Sequence, residues 1–135
     1  MSFNDTKTTS VQEAWNIGMR RVNRIIEAEN SLGFKALATG LYSNIPDIIV
    51  FDDNFNPILG ENIDTIIRVY EVTNYAARAE YIQLSRCERY RDTLLQFRAH
   101  KIFVCSFEEN LRYLRGGADF FKQHGIEVRF AGNQD

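Results

Sequence analysis

Two short, almost uninterrupted apolar runs constrain this chain most: Asp47-Ile48-Ile49-Val50-Phe51 and Lys101-Ile102-Phe103-Val104-Cys105-Ser106. Both read as strands. A strand that is apolar at successive positions sends apolar side chains to both sides of its sheet. Such a sheet needs cover on both faces, and helices are the usual cover. The chain's 135 residues suffice for one domain of this kind around a single core.

The remaining sequence supplies the other elements. Ser10-Val11-Gln12-Glu13 is a capping box, with Ser10 as the cap and Glu13 reaching back. Val11, Trp15, Met19, Val22 and Ile26 then fall on one stripe, which predicts a helix with one buried face ending around Asn30. Gly33 punctuates the following turn. Phe34 to Leu41 reads as a strand closed by Gly40 and the turn residues Ser43 and Asn44. Pro46 is acceptable at the start of the next strand, where a missing donor costs little. Asp53, Asn54, Asn56, Pro57 and Gly60 form a loop before a third strand over Ile66 to Thr73.

A long helix is expected from Ala76 to about Phe97, with Gln83, Cys87, Tyr90, Leu94 and Phe97 as its inward stripe. After the strand 101–106, Ser106-Phe107-Glu108-Glu109 forms a second capping box that opens a helix. Gly116-Gly117 interrupts that helix, Gly125 ends it, and Ile126 to Phe130 is the last strand. The third and fourth strands, joined through the long helix, should run parallel. The expected fold is α/β: a mixed central sheet flanked by helices in the order α-β-β-β-α-β-α-β. One domain is expected over residues 10–131, with flexible tails at 1–9 and 132–135.

Bulk properties narrow the function classes. The formal net charge is −2, which argues against strong nonspecific DNA binding at ordinary salt. The basic residues are mostly arginine, a side chain suited to phosphate forks and buried ion pairs. No run approaches the roughly 20 apolar residues of a membrane span, and Met1 to Lys7 lacks a signal pattern, so a cytoplasmic protein is expected. Cys87 and Cys105 lie inside apolar patterns and read as buried free thiols. There is no glycine-rich phosphate loop. His100 and His124 sit at expected helix ends, where a capping role is the ordinary one.

Asp47 begins one apolar run, and Glu71 stands near the end of Ile66-Ile67-Arg68-Val69-Tyr70-Glu71-Val72-Thr73. If these strands pair antiparallel, the two acids meet at one sheet edge. Two carboxylates there suit a divalent cation with oxygen ligands. Taken singly, an acid at a strand end is ordinarily a solvated turn former.

The element order, with Pro46-Asp47 and Glu71-Val72-Thr73 at the ends of adjacent strands, resembles the restriction-endonuclease-like fold and its PD-(D/E)xK nucleases. The resemblance covers roughly residues 10 to 106. It implies that Asp47 and Glu71 ligate Mg²⁺ or Mn²⁺, together with the carbonyl of Val72. It also implies hydrolysis of phosphodiester bonds, with DNA as partner and substrate. A module of this size cutting both strands would be expected to pair as a homodimer about a two-fold axis.

Thr73 departs from the family pattern, which has lysine there. Threonine carries no charge to stabilise the developing anion. Lys35 and Lys101 lie at the far end of their strands, and Lys7 and Lys122 lie near the termini. Arg78, following Glu71, is the best substitute cation. Gln83 is expected on the inward stripe near Glu71, where related nucleases place a glutamine. The first helix supplies an acid in related enzymes, and either Glu29 or Glu27 could fill that place. Arg78, Arg86, Arg89, Arg91 and Arg98 on the long helix read as a nucleic-acid groove or as a salt-bridged outer face interleaved with Glu80, Glu88 and Asp92.

The leading expectation is a metal-dependent nuclease, with Asp47, Glu71, Thr73 and Gln83 at its site and Arg78 and Arg86 on nucleic acid. The alternative is a nuclease-fold domain that has lost catalysis and acts as a binding or assembly subunit. A small-molecule-binding α/β domain is weaker, because Thr73-Asn74-Tyr75 is not the glycine-bearing loop such a site would use.

Overall fold

The computed structural model describes residues 10–40, 44–52, 65–73 and 78–132. Helix α1 spans Val11–Ser31, strand β1 Lys35–Ala38, β2 Ile48–Phe51 and β3 Ile66–Val72. Helix α2 follows at Leu84–Leu95, β4 at His100–Cys105, a 3-10 turn at Glu108–Leu111, the short helix α3 at Asp119–Lys122 and β5 at Ile126–Phe130. The expected tail 1–9, the whole loop from Asp53 to Gly60, Leu41 at the end of the first strand, and the beginning of the long helix at Ala76 lie outside the described residues.

The five strands form one mixed sheet in the order β1-β2-β3-β4-β5. The β1–β2 and β2–β3 pairs are antiparallel, and β3–β4 and β4–β5 are parallel. Alternation along the strands divides the core in two. Ile48, Val50, Tyr70, Ile102 and Val104 face one way, packed with Val22, Ile25 and Ile26 of α1. Val69, Phe103, Cys105 and Ile126 face the other, packed with Cys87 and Leu94 of α2 and Phe121 of α3. The sheet is thus covered on both faces, as its apolar strands require. Both cysteines are free and buried within the second layer.

Ser10 caps α1 as the sequence suggests: its Oγ accepts from Glu13 N–H at 3.1 Å and donates to Glu13 Oε1 at 2.9 Å. The buried face of α1 matches the expected stripe only in part: Val22 and Ile26 pack against the sheet. Trp15 and Met19 are 53% and 41% exposed, whereas Ile17, Arg21 and Glu29 are buried. Helix α2 also differs. It begins at Leu84, because the preceding chain is held extended. Asn110 does the holding: its backbone carbonyl accepts from Ile82 N–H at 2.9 Å, and its Nδ2 donates to the Glu80 carbonyl at 2.8 Å. Arg112 adds donations to the carbonyls of Arg78 and Ala79.

The second capping box does not form with Ser106 as its cap. Phe107 N–H instead donates to Asn110 Oδ1 at 2.9 Å, and the turn that follows is 3-10. Gly116 and Gly117 both take positive φ, which breaks the chain before α3 as their pairing predicted. Gly132, expected in the C-terminal tail, is tied to the body by N–H donation to the Ser106 carbonyl at 2.8 Å.

Candidate functional site

Asp47 and Glu71 lie side by side. The β2–β3 register pairs Ile48 with Tyr70, so the next pair outward is Asp47 and Glu71. Both share the strand face of Ile49 and Val69, which packs toward α2. Each carboxylate is anchored on the other's strand. Val72 N–H donates to Asp47 Oδ2 at 2.8 Å, and Asp47 N–H donates to Glu71 Oε1 at 3.1 Å. Pro46, fully buried just before the strand, fixes the approach of Asp47.

Glu71 is only 6% exposed. Burial, and then the negative charge of Asp47, push its carboxyl up to about 9; the Asp47 N–H and the charge of Arg89 pull the other way. Burial also raises Asp47, offset in part by Val72 N–H. Two adjacent buried carboxyls do not both ionise without help. At neutral pH the pair shares a proton, or something else positive replaces it.

Two neighbouring carboxylates are oxygen donors of the kind a hard divalent cation takes. Among the described residues no group of three or more His, Cys, Asp or Glu side chains could hold a metal ion. Holding would thus fall to Asp47 and Glu71, with backbone oxygen and solvent completing the shell.

The other expected site residues are placed differently. Thr73 is buried, and its hydroxyl donates to the Val104 carbonyl at 3.0 Å. Its own carbonyl accepts from Arg21 Nη1 at 2.8 Å. Thr73 therefore fastens β3 to β4 and α1. Gln83 was expected on the inward stripe; it is exposed and stands just before α2, because the helix starts later than its periodicity suggested. The stripe holds from Cys87 onward. Arg78 is bound to Glu109 at 3.3 Å and lies 4.1 Å over the Phe107 ring. Arg86 is exposed on the first turn of α2.

The first-helix acid does not join the pair. Glu29 lies on the opposite face of the sheet, gripped by Arg68 through two 2.7 Å bonds and by the Tyr70 hydroxyl at 2.6 Å. Glu27 is exposed. His100 opens β4 and contacts Glu127 at 2.8 Å, which replaces the expected helix-capping role.

Arg89 was missed as a site residue. It was visible only as one of several arginines on a helix. It is exposed on α2, and its positive charge is the last of the influences on Glu71, pulling that carboxyl down. No family model, curated protein or solved structure matches the chain.

Proposed function

We propose that this chain is a divalent-cation-dependent nuclease that hydrolyses DNA phosphodiester bonds at the Asp47–Glu71 pair, with Mg²⁺ or Mn²⁺ as cofactor. The observation that carries the reading is the reciprocal anchoring of the half-buried Asp47 and the buried Glu71 carboxylates across adjacent strands. Such a pair is unfavourable as two bare charges and favourable around a cation. The same reading takes the run of elements as restriction-endonuclease-like.

Asp47 and Glu71 hold and orient the cation, and the Val72 carbonyl is assigned as a third ligand. A bound divalent ion supplies Lewis-acid stabilisation of phosphoryl oxygens and an acidified water. The charge of Arg89 offsets a small part of the upward push on the Glu71 carboxyl. Arg89 takes the cationic role first given to Arg78, which is occupied by Glu109. Arg86 extends the positive surface of α2 toward a DNA backbone. A homodimer and a cytoplasmic location belong to the same proposal. Among the described residues no helix is long and apolar enough to cross a membrane.

A second reading, a binding or assembly subunit without catalysis, is favoured by one observation. Thr73 stands where the family has lysine, and its hydroxyl is spent on the Val104 carbonyl. One experiment separates the two readings. Single-stranded, duplex and branched DNA are incubated with the protein in Mg²⁺ or Mn²⁺, with Asp47→Ala as control. Metal-dependent cleavage lost in the folded variant supports the nuclease. No cleavage of any substrate, with either metal, transfers the conclusion to the binding subunit.

A further inference from the structure

The outer edge of β5 takes no part in the acid-pair site. β5 ends the sheet, and among the described residues it pairs only with β4. An open strand edge presents backbone N–H and C=O groups to any strand that comes beside it. One bond fixes which residues do so. Ala131 N–H donates to the Cys105 carbonyl at 2.8 Å. Backbone direction alternates along a strand, so Glu127 and Arg129 turn their backbone groups toward β4 as Ala131 does. Ile126, Val128 and Phe130 turn theirs outward.

The side chains alternate between the two faces of the sheet. Ile126 and Val128 pack into the layer under α2 and α3. Phe130 shares that face and is 45% exposed there. Glu127 and Arg129 share the α1 face, with side chains 40% and 47% exposed. Arg129 is joined through Nε to Glu127 Oε2, and Glu127 Oε1 meets His100 at 2.8 Å. The guanidinium keeps further N–H donors beyond Nε. The strand thus reads Ile-Glu-Val-Arg-Phe, which is complementary to itself about Val128 when the second strand runs the other way.

We propose that β5 pairs antiparallel with β5 of a second copy of this chain, about a two-fold axis at Val128, joining the two sheets into one. In this register the two Val128 residues form a hydrogen-bonded pair on the axis. Glu127 stands opposite the partner's Arg129, and Arg129 opposite the partner's Glu127, at the closer non-hydrogen-bonded spacing. Ile126 stands opposite the partner's Phe130 on the other face. Opposite charges and apolar pairs directly across two strands stabilise the pairing, and like charges oppose it. That selects the register. Sliding by two residues sets Glu127 against the partner's Glu127, or Arg129 against the partner's Arg129. Sliding by one sets outward backbone groups against inward ones and mismatches the faces. A like-for-like contact is also the symmetry of a closed homodimer. A strand from another protein could use the same edge, but the order of charges about Val128 is matched by this chain's own copy. An edge of five residues makes a small interface, so a weak dimer is expected.

The pairing stands on β5 and does not rest on cleavage at Asp47 and Glu71. It gives a surface to the homodimer of the nuclease reading, and Asp47→Ala should leave it unchanged, so the two fail separately. The test is sedimentation of the full chain from about 1 µM to about 500 µM, where a monomer–dimer equilibrium in the micromolar range is expected. Glu127→Arg sets Arg against Arg, and Arg129→Glu sets Glu against Glu. Each turns two attractive pairs repulsive and should weaken the dimer at least about tenfold. An equimolar mixture of the two variants opposes Arg to Glu again and should recover a dimer that neither forms alone. Mixing does not repair a lost fold, so recovery reads the pairing itself. Hydrogen exchange reads the wild type without substitution: protection at the Val128 and Phe130 amides should rise with concentration, while β1, at the other edge of the sheet, stays unchanged. A chain monomeric throughout, a dimer indifferent to Glu127→Arg, or a mixture of folded variants that stays monomeric overturns the proposal.

Discussion

Glu71 gives the sharpest residue-level consequence. Its carboxyl is raised in the folded protein from an ordinary value of 4.5 to about 9. Folding therefore favours the protonated form. The associated stability is fully present below pH 4.5 and is lost as pH rises toward 9. In cation-free buffer, denaturant unfolding should show stability declining through that window, on the order of a few kcal/mol. Glu71→Gln mimics the protonated carboxyl and should flatten the decline. A wild type and variant with parallel pH profiles would show that Glu71 does not titrate in this way. Thr73 supports a second residue-level prediction. A lysine there loses the Oγ1–Val104 bond and brings an ammonium into a position only 2% exposed. Thr73→Lys should therefore destabilise the fold by roughly 2 kcal/mol or more, read by chemical denaturation, rather than simply add a cation. Stability equal to wild type would show room for the chain that the packing does not suggest.

Among the elements, strands were more legible than helices. β5 falls on the expected Ile126–Phe130, and β2 and β3 differ from expectation only at their ends. A short apolar run between turn residues has few alternative placements. Helix phase is harder to read when polar residues are buried. The observed inward line of α1 is Ile17, Arg21, Ile25 and Glu29, in steps of four; the apolar line through Trp15 and Met19 is turned outward. Hydrophobic periodicity counts Arg21 and Glu29 as surface and so rotates the helix. Helix α2 fails at its start for another reason. The chain before it is fixed by Asn110, which is 27 residues beyond Gln83 and gives no local signal. Asn110→Ala should leave the Glu80 carbonyl and Phe107 N–H without their side-chain partner, costing about 2–4 kcal/mol. Hydrogen exchange at Ile82 and Phe107 should accelerate more than exchange in β2. Unchanged protection at both amides would mean the extended segment is held by other contacts. Arg89 shows the same limitation in the site: its charge bears on Glu71 only across the folded chain. On the nuclease reading, Arg89→Ala should reduce cleavage by roughly 10²–10³ while leaving the fold intact. An unchanged rate would remove Arg89 from the site.

Across the whole molecule, α1 is fastened to the sheet by polar groups at two levels. Near its C-terminal end Glu29 holds Arg68 and Tyr70 of β3. Two turns earlier, Arg21 reaches the ends of three parallel strands at once: the Thr73 carbonyl after β3, Ser106 Oγ after β4 and the Gly132 carbonyl after β5. These segments are distant in sequence, Arg21 and Gly132 being 111 positions apart. No sequence pattern joins them, yet this side chain fixes where α1 lies relative to the carboxyl ends of the sheet. The apolar half of α1 cannot do so alone, since Trp15 and Met19 face outward. Removing the guanidinium leaves buried oxygens on three separate strand ends without their donor. Arg21→Ala should cost on the order of 3 kcal/mol or more, since each orphaned polar group costs roughly 1–3 kcal/mol. Arg21→Lys keeps the charge but offers a point ammonium in place of a planar fork, and should recover less than half of the loss. Limited proteolysis provides the spatial readout: cleavage within α1 should become faster in Arg21→Ala relative to cleavage within β4. A lysine variant as stable as wild type would show that charge alone anchors the helix. An alanine variant as stable as wild type would show that the apolar contacts of Val22, Ile25 and Ile26 suffice, and the three-strand clasp would then have no mechanical role.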